Sequence, residues 1–191
     1  MVTLDKDDKY AKLRPLFDPV NIRNKQFGIF RHNLAIDEKM VPYFGRHSCK
    51  IYGAYIRRMA TFFSFIPYAG ANRKQEKQKS SVGLEGDVIF ELLSAADEQS
   101  NYRVFFDNFF SPYKLFKILH LKNFFATGTI HENRTNHCPL EFAKSLTKRG
   151  RRCYNSAGER SINLTLMKWN DNAFVTAASN NFSLSPLTIA K

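Results

Sequence analysis

Apolar residues fall into short runs along this chain, separated by polar stretches, and the runs alternate between strand-like and helix-like periods. Leu13, Leu16, Phe17 and Val20 approach helical spacing and predict a helical lead-in over residues 5–32, interrupted by Pro15 and Pro19. The run from Asn33 to Glu38 ends in two acids, which suits a buried strand emerging at its C-terminal end. Thr61–Tyr68 predicts a second strand, closed by Pro67 and Gly70. The polar stretch 72–81 reads as an exposed basic loop, and Asp87–Ser94 as a helix with one apolar face. Tyr102–Asp107 predicts another strand that ends in an acid. Ser111 at an N-cap and Pro112 at the first helical position then open a helix that buries Leu115, Phe116, Ile118 and Leu119. Phe124–Ile130 follows as a strand. Residues 131–161 are polar, basic and rich in turn formers. Two late strands, Ile162–Trp169 and Phe174–Ser179, flank the hairpin signal Asn170-Asp171-Asn172. The order of elements indicates α/β architecture with a mixed sheet.

Composition sharpens this picture. Apolar residues are 43% of the 191 and include 18 Phe, enough to build a core, so global disorder is not expected. No window approaches the roughly 18 uninterrupted apolar residues of a membrane helix, and no secretory signal is expected from Met1–Asp8. With 29 Lys and Arg against 17 Asp and Glu, the net charge is +12, a surface that attracts polyanions by releasing their condensed counterions. Lys148, Arg149, Arg151 and Arg152 concentrate that charge and are the candidate contacts to a nucleic-acid backbone, with a solvated loop as the alternative. Cys49, Cys138 and Cys153 show no zinc-ligand spacing and read as structural thiols in a reducing compartment. Trp169 reads as a core residue that, if exposed, could stack on an unpaired base.

Asp37 and Asp107 each close an apolar strand. In open α/β sheets ligands gather beyond the carboxyl ends of strands, and a divalent cation would relieve the repulsion of two acids brought together there. Turn capping by each Asp is the alternative that pattern alone supports. Glu38, adjacent to Asp37 on an extended chain, points to the other face and is not counted as a ligand.

The surrounding residues carry a resemblance. Ile36-Asp37-Glu38-Lys39-Met40-Val41-Pro42-Tyr43-Phe44-Gly45-Arg46-His47-Ser48 resembles the first catalytic segment of piggyBac-type transposases, and Phe106-Asp107-Asn108-Phe109-Phe110-Ser111 resembles the second. Ala126–Ile130 with Glu132-Asn133-Arg134 and Cys138-Pro139-Leu140 is similar to the blocks that follow. Lys12–Phe17 upstream matches as well, and so do Lys168–Asn172 and Ala178-Ser179-Asn180 downstream.

The resemblance implies an RNase H-like mixed sheet with flanking helices, here incomplete and carrying a basic loop-rich insertion at about 131–161, after the lead-in of residues 1–32. It implies that residues 33–191 are a partial transposase domain in which Asp37 and Asp107 are the first two of three acids holding Mg²⁺ or Mn²⁺. The family's third Asp lies in a Gly-Gly segment, and no Gly-Gly pair occurs in this sequence. Residues 51–61 are expected to lack a strand that the family has, since they are too few for it and its turn. DNA is the implied partner and the nucleus the implied location, with a homodimer left open and no membrane association. Three functions follow: a transposase-derived DNA-binding protein without activity, an active recombinase completed by an acid from elsewhere, or a decaying reading frame.

Overall fold

The computed structural model describes residues 10–27, 32–41, 49–56, 61–68, 82–94 and 101–182. Two compact units divide the chain, Met1–Asp97 and Glu98–Lys191.

The first unit joins helix α1 (Arg14–Phe27), strands β1 (Asn33–Val41), β2 (Cys49–Ile56) and β3 (Thr61–Tyr68), and helix α2 (Gly83–Leu93). The strands form an antiparallel ladder with β2 in the middle, so that Asp37 pairs with Gly53 and Gly53 with Phe65. In β1 the alternation is plain: Leu34 and Ile36 are buried, while Asp37, on the other face, is exposed. Val88, Ile89, Leu92 and Leu93 give α2 its buried side, and α2 packs on β2 and β3.

Three expectations change here. Helix α1 runs through Pro19, although a proline there removes one backbone donor. It is anchored on both sides of that residue: Phe17 meets Phe65 edge to face at 5.3 Å, and the Asn21 amide bonds the Phe65 carbonyl (2.8 Å) and N–H (3.0 Å). Strand β1 continues past its apolar run to Val41, because the ladder with β2 extends to the Val41–Cys49 pair. Asp37 therefore sits in mid-strand and not at a strand end. The strand expected to be missing after Lys50 is present as β2; Gly53 and Ala54 at its centre weaken its sequence signal without stopping it from pairing. The basic stretch 72–81 lies outside the described residues.

The second unit holds a five-stranded mixed sheet in the order β4 (Arg103–Phe106), β5 (Phe125–Thr129), β8 (Phe174–Ser179), β7 (Leu164–Asn170), β6 (Tyr154–Glu159). Strands β4 and β5 are parallel, as a helical crossover requires, and α3 (Tyr113–Leu121) supplies it. Leu115, Phe116 and Leu119 are the fully buried side of α3, with Ile118 half-buried. Phe106 packs on Phe116 with ring centroids 5.3 Å apart. Gly128 lies opposite Phe106, where an added Cβ would stand 2.5 Å from the Phe106 carbonyl oxygen. Buried Asn180 prolongs the β5–β8 pairing: its side chain accepts from the Ala126 N–H (2.5 Å) and donates to the Phe124 carbonyl (3.2 Å).

The segment 131–161 is more ordered than a polar loop. It contains a 3₁₀ turn (Glu132–Arg134), helix α4 (Ala143–Arg149) and strand β6, which owes its place to the ladder with β7 and not to any apolar pattern. Among the described residues no helix is long and apolar enough to cross a membrane.

Candidate functional site

Asp107 follows the last residue of β4 and is exposed, whereas Phe106 before it is buried. The turn that presents it is built twice over. Its Oδ1 accepts the Phe109 N–H at 3.0 Å, and its carbonyl accepts the Phe110 N–H at 3.3 Å, the short-range bonding that favours Asp at turns. Arg134 donates from Nη1 to the Phe109 carbonyl at 2.9 Å, bracing the turn from the 3₁₀ segment. Buried Ser111 does not cap α3; Pro112 occupies the N-cap, and the Ser111 hydroxyl bonds the Thr129 carbonyl. That bond ties the turn to the end of β5, and the helix starts one residue later than expected, at Tyr113, after an extended Pro112.

Asp37 is exposed on β1, where its Oδ1 accepts the Glu38 N–H at 2.8 Å. It belongs to the first unit and Asp107 to the second. Among the described residues no group of three or more His, Cys, Asp or Glu side chains is gathered as metal ligands.

Lys148, Arg149, Arg151 and Arg152 are brought together where α4 turns into β6, and all four are exposed. Gly150 makes the turn possible at φ +97°, and Arg152 also has a left-handed backbone at φ +67°. Asn170 at the end of β7 secures it. Its amide donates to the carbonyls of Gly150 (2.8 Å) and Leu146 (3.4 Å), and its backbone carbonyl accepts the Arg152 N–H at 2.7 Å. Arg149 pairs with Glu141 at 3.1 Å and Arg151 with Asp171 at 2.8 Å; exposed pairs of this kind contribute about 0–1 kcal/mol and exchange readily for a phosphate. Lys148 and Arg152 make no ion pair among the described residues.

Trp169 is not a core residue, since it is 45% exposed. Strand parity explains this: Leu164, Leu166 and Lys168 take the buried face of β7 and turn Trp169 outward. Lys168 is the residue that sequence reasoning missed. Its ammonium is buried and donates to Glu132 Oε1 at 2.7 Å and to the Glu141 carbonyl at 3.0 Å, fastening the 131–141 segment to the sheet. Lys168, Arg134 and Asn180 all fall within the blocks that carry the resemblance, which is the one signal that marks them.

The mixed sheet with its crossover helix is an RNase H-like α/β fold. It is similar to that of a piggyBac transposase solved by cryo-EM as a synaptic complex with hairpin DNA, at a TM-score of 0.73 and 19% identity, over 94% of this chain and 40% of that one. The model of the family described as Transposase IS4 matches residues 2–190, and the chain belongs to that family. PiggyBac transposable element-derived protein 3 of Homo sapiens is 33% identical over 97% of this chain and 33% of its own length. PiggyBac transposable element-derived protein 2 of Homo sapiens is 28% identical, again over 97% of this chain and 33% of the relative. The chain thus spans about a third of the length of these human relatives.

Proposed function

We propose that this chain is a transposase-derived DNA-binding protein that acts on nuclear DNA without itself cutting or joining strands. The observation that carries the reading is the rim of Lys148, Arg149, Arg151 and Arg152, four exposed cations on a turn secured by Asn170, in a chain of net charge +12. Phosphate contacts need charge in the right place and no base reading, so binding is salt-sensitive and weakly selective for sequence. Replacing all four by Gln should reduce the slope of log K against log salt by about 0.9 for each phosphate that is no longer neutralised. An unchanged slope removes the rim from the interface.

The family resemblance supports a role for Asp37 and Asp107 as carboxylates for Mg²⁺ or Mn²⁺. A lone carboxylate holds such an ion weakly, with water completing its shell, and a two-ion site needs further anionic oxygen. These 191 residues alone should therefore show Mn²⁺-dependent thermal stabilisation that Asp37→Ala and Asp107→Asn abolish. They should show no metal-dependent nicking, hairpin formation or joining of a DNA with piggyBac-type terminal repeats. Cleavage that disappears in Asp37→Ala would establish an active enzyme instead.

A further inference from the structure

The basic rim borders a second feature, on the outer face of the same sheet. Tyr154, Trp169 and Val175 are cross-strand partners in β6, β7 and β8, so their side chains stand in a row on one face. All three are exposed, at 37%, 45% and 47%. Their strands' other face, with Leu164, Leu166, Lys168 and Ala178, is buried. Next along the row's face come Ser156, Met167 and Ala177, two of them small, which leaves the ground beside the rings low. Trp169 and Tyr154 keep a large part of their ring surface in water, so that part is left available to a ligand.

The cations are close by along the backbone. Arg152 stands two residues before Tyr154, and its N–H bonds the carbonyl of Asn170, the residue after Trp169. Arg151 is held beside the same strand end by Asp171. An aromatic step bordered by guanidinium groups matches the chemistry of an unpaired nucleic-acid strand, whose bases offer flat faces and whose phosphates run alongside. A base inside a duplex has both faces covered by its neighbours and cannot use such a step.

We propose that Tyr154 and Trp169 form a stacking platform for unpaired DNA bases, with Arg151 and Arg152 on the adjoining phosphates. The proposal rests on the DNA-binding reading above and narrows it to a single-stranded ligand at a defined place. Trp169 is the only tryptophan in the chain, so its fluorescence reports on this face alone. In low salt, an oligo-dT strand should quench Trp169 emission on binding, and a duplex of equal length should bind with far less quenching. Trp169→Ala and Tyr154→Ala should each weaken oligo-dT binding, followed by anisotropy of a labelled strand, by roughly 5- to 150-fold while leaving duplex binding unchanged. Trp169→Phe, which keeps an aromatic face, should retain most of the affinity. Oligo-dT binding with no quenching, or with no loss in Trp169→Ala, overturns the platform and leaves the DNA-binding reading standing. Failure to bind either oligonucleotide overturns both. A Trp169 emission that shifts with protein concentration in the absence of DNA assigns the face to a second copy of this chain and overturns the platform as well.

Discussion

Substituting Gly128 by Ala is the sharpest probe of how the second unit holds Asp107. Parallel strands β4 and β5 place Gly128 opposite Phe106, and a Cβ there would stand 2.5 Å from the Phe106 carbonyl oxygen and 2.8 Å from its ring. Real Cβ atoms essentially never come within 3.0 Å of such neighbours, so something must move. The oxygen belongs to the backbone, and the ring is packed on Phe116 at 5.3 Å, so neither can yield at low cost. Overpacking a well-filled site typically costs about 1–3 kcal/mol, and a clash with both backbone and ring puts Gly128→Ala at the upper end, near 3. For a chain of this size each kcal/mol lowers the melting temperature by about 2–4 °C, which gives a fall of roughly 6–12 °C by circular dichroism. Gly158→Ala is the control: its nearest neighbour, the Leu164 carbonyl oxygen at 3.5 Å, leaves room for a methyl group. That variant should stay within about 0.5 kcal/mol of the parent. A Gly128→Ala protein that melts with the parent would show that β4 and β5 are not in this register, and that Asp107 is presented in some other way.

Other consequences can be measured more simply. The Tyr113 hydroxyl donates to the Glu159 carboxylate, which pushes the phenol up to about 12 and holds Glu159 below the usual carboxylate range. A phenol raised above its ordinary value of 10.0 contributes stability that is complete below that pH and is lost as pH rises toward 12. Tyr113→Phe should therefore be less stable than the parent at neutral pH and converge with it in alkali, as urea midpoints against pH would show. Glu132→Ala strands the buried Lys168 ammonium with one carbonyl, at a cost of about 1–3 kcal/mol. Lys168→Met fills the same space without a charge and should cost less; the opposite order would refute the ion pair's role.

Strands β3 and β8 are legible in the sequence to the residue, because aromatic or apolar runs there are bounded by turn formers. β2 is not: Gly53 and Ala54 remove the side chains that would announce a strand, and its identity comes from pairing on both edges. β6 is the same case with polar residues, Tyr154 to Glu159, recruited by β7. The family blocks draw attention to Asp37 and Asp107, but local pattern ends the first strand at its last apolar residue and so puts Asp37 at an end it does not occupy. Trp169 reads as core on its own apolarity. Once a buried Lys168 is allowed, the alternation of Leu164, Leu166 and Lys168 puts Trp169 outside. No local rule reveals that burial, since the Glu132 partner lies 36 residues away.

The Asn170 bonds to Leu146, Gly150 and Arg152 also bear on affinity. A basic segment that is random in the free protein must surrender its backbone freedom on meeting a polyanion, and that ordering subtracts from the binding free energy. Here the backbone around the rim is already fixed by a neutral amide at a strand terminus. Its side chains remain free to leave Glu141 or Asp171 for a ligand. Preorganisation of this kind separates two properties that usually change together, for charge can be altered at Lys148 or Arg152 without disturbing the turn. Conversely, a change at Asn170 would loosen the rim with every cation still in place.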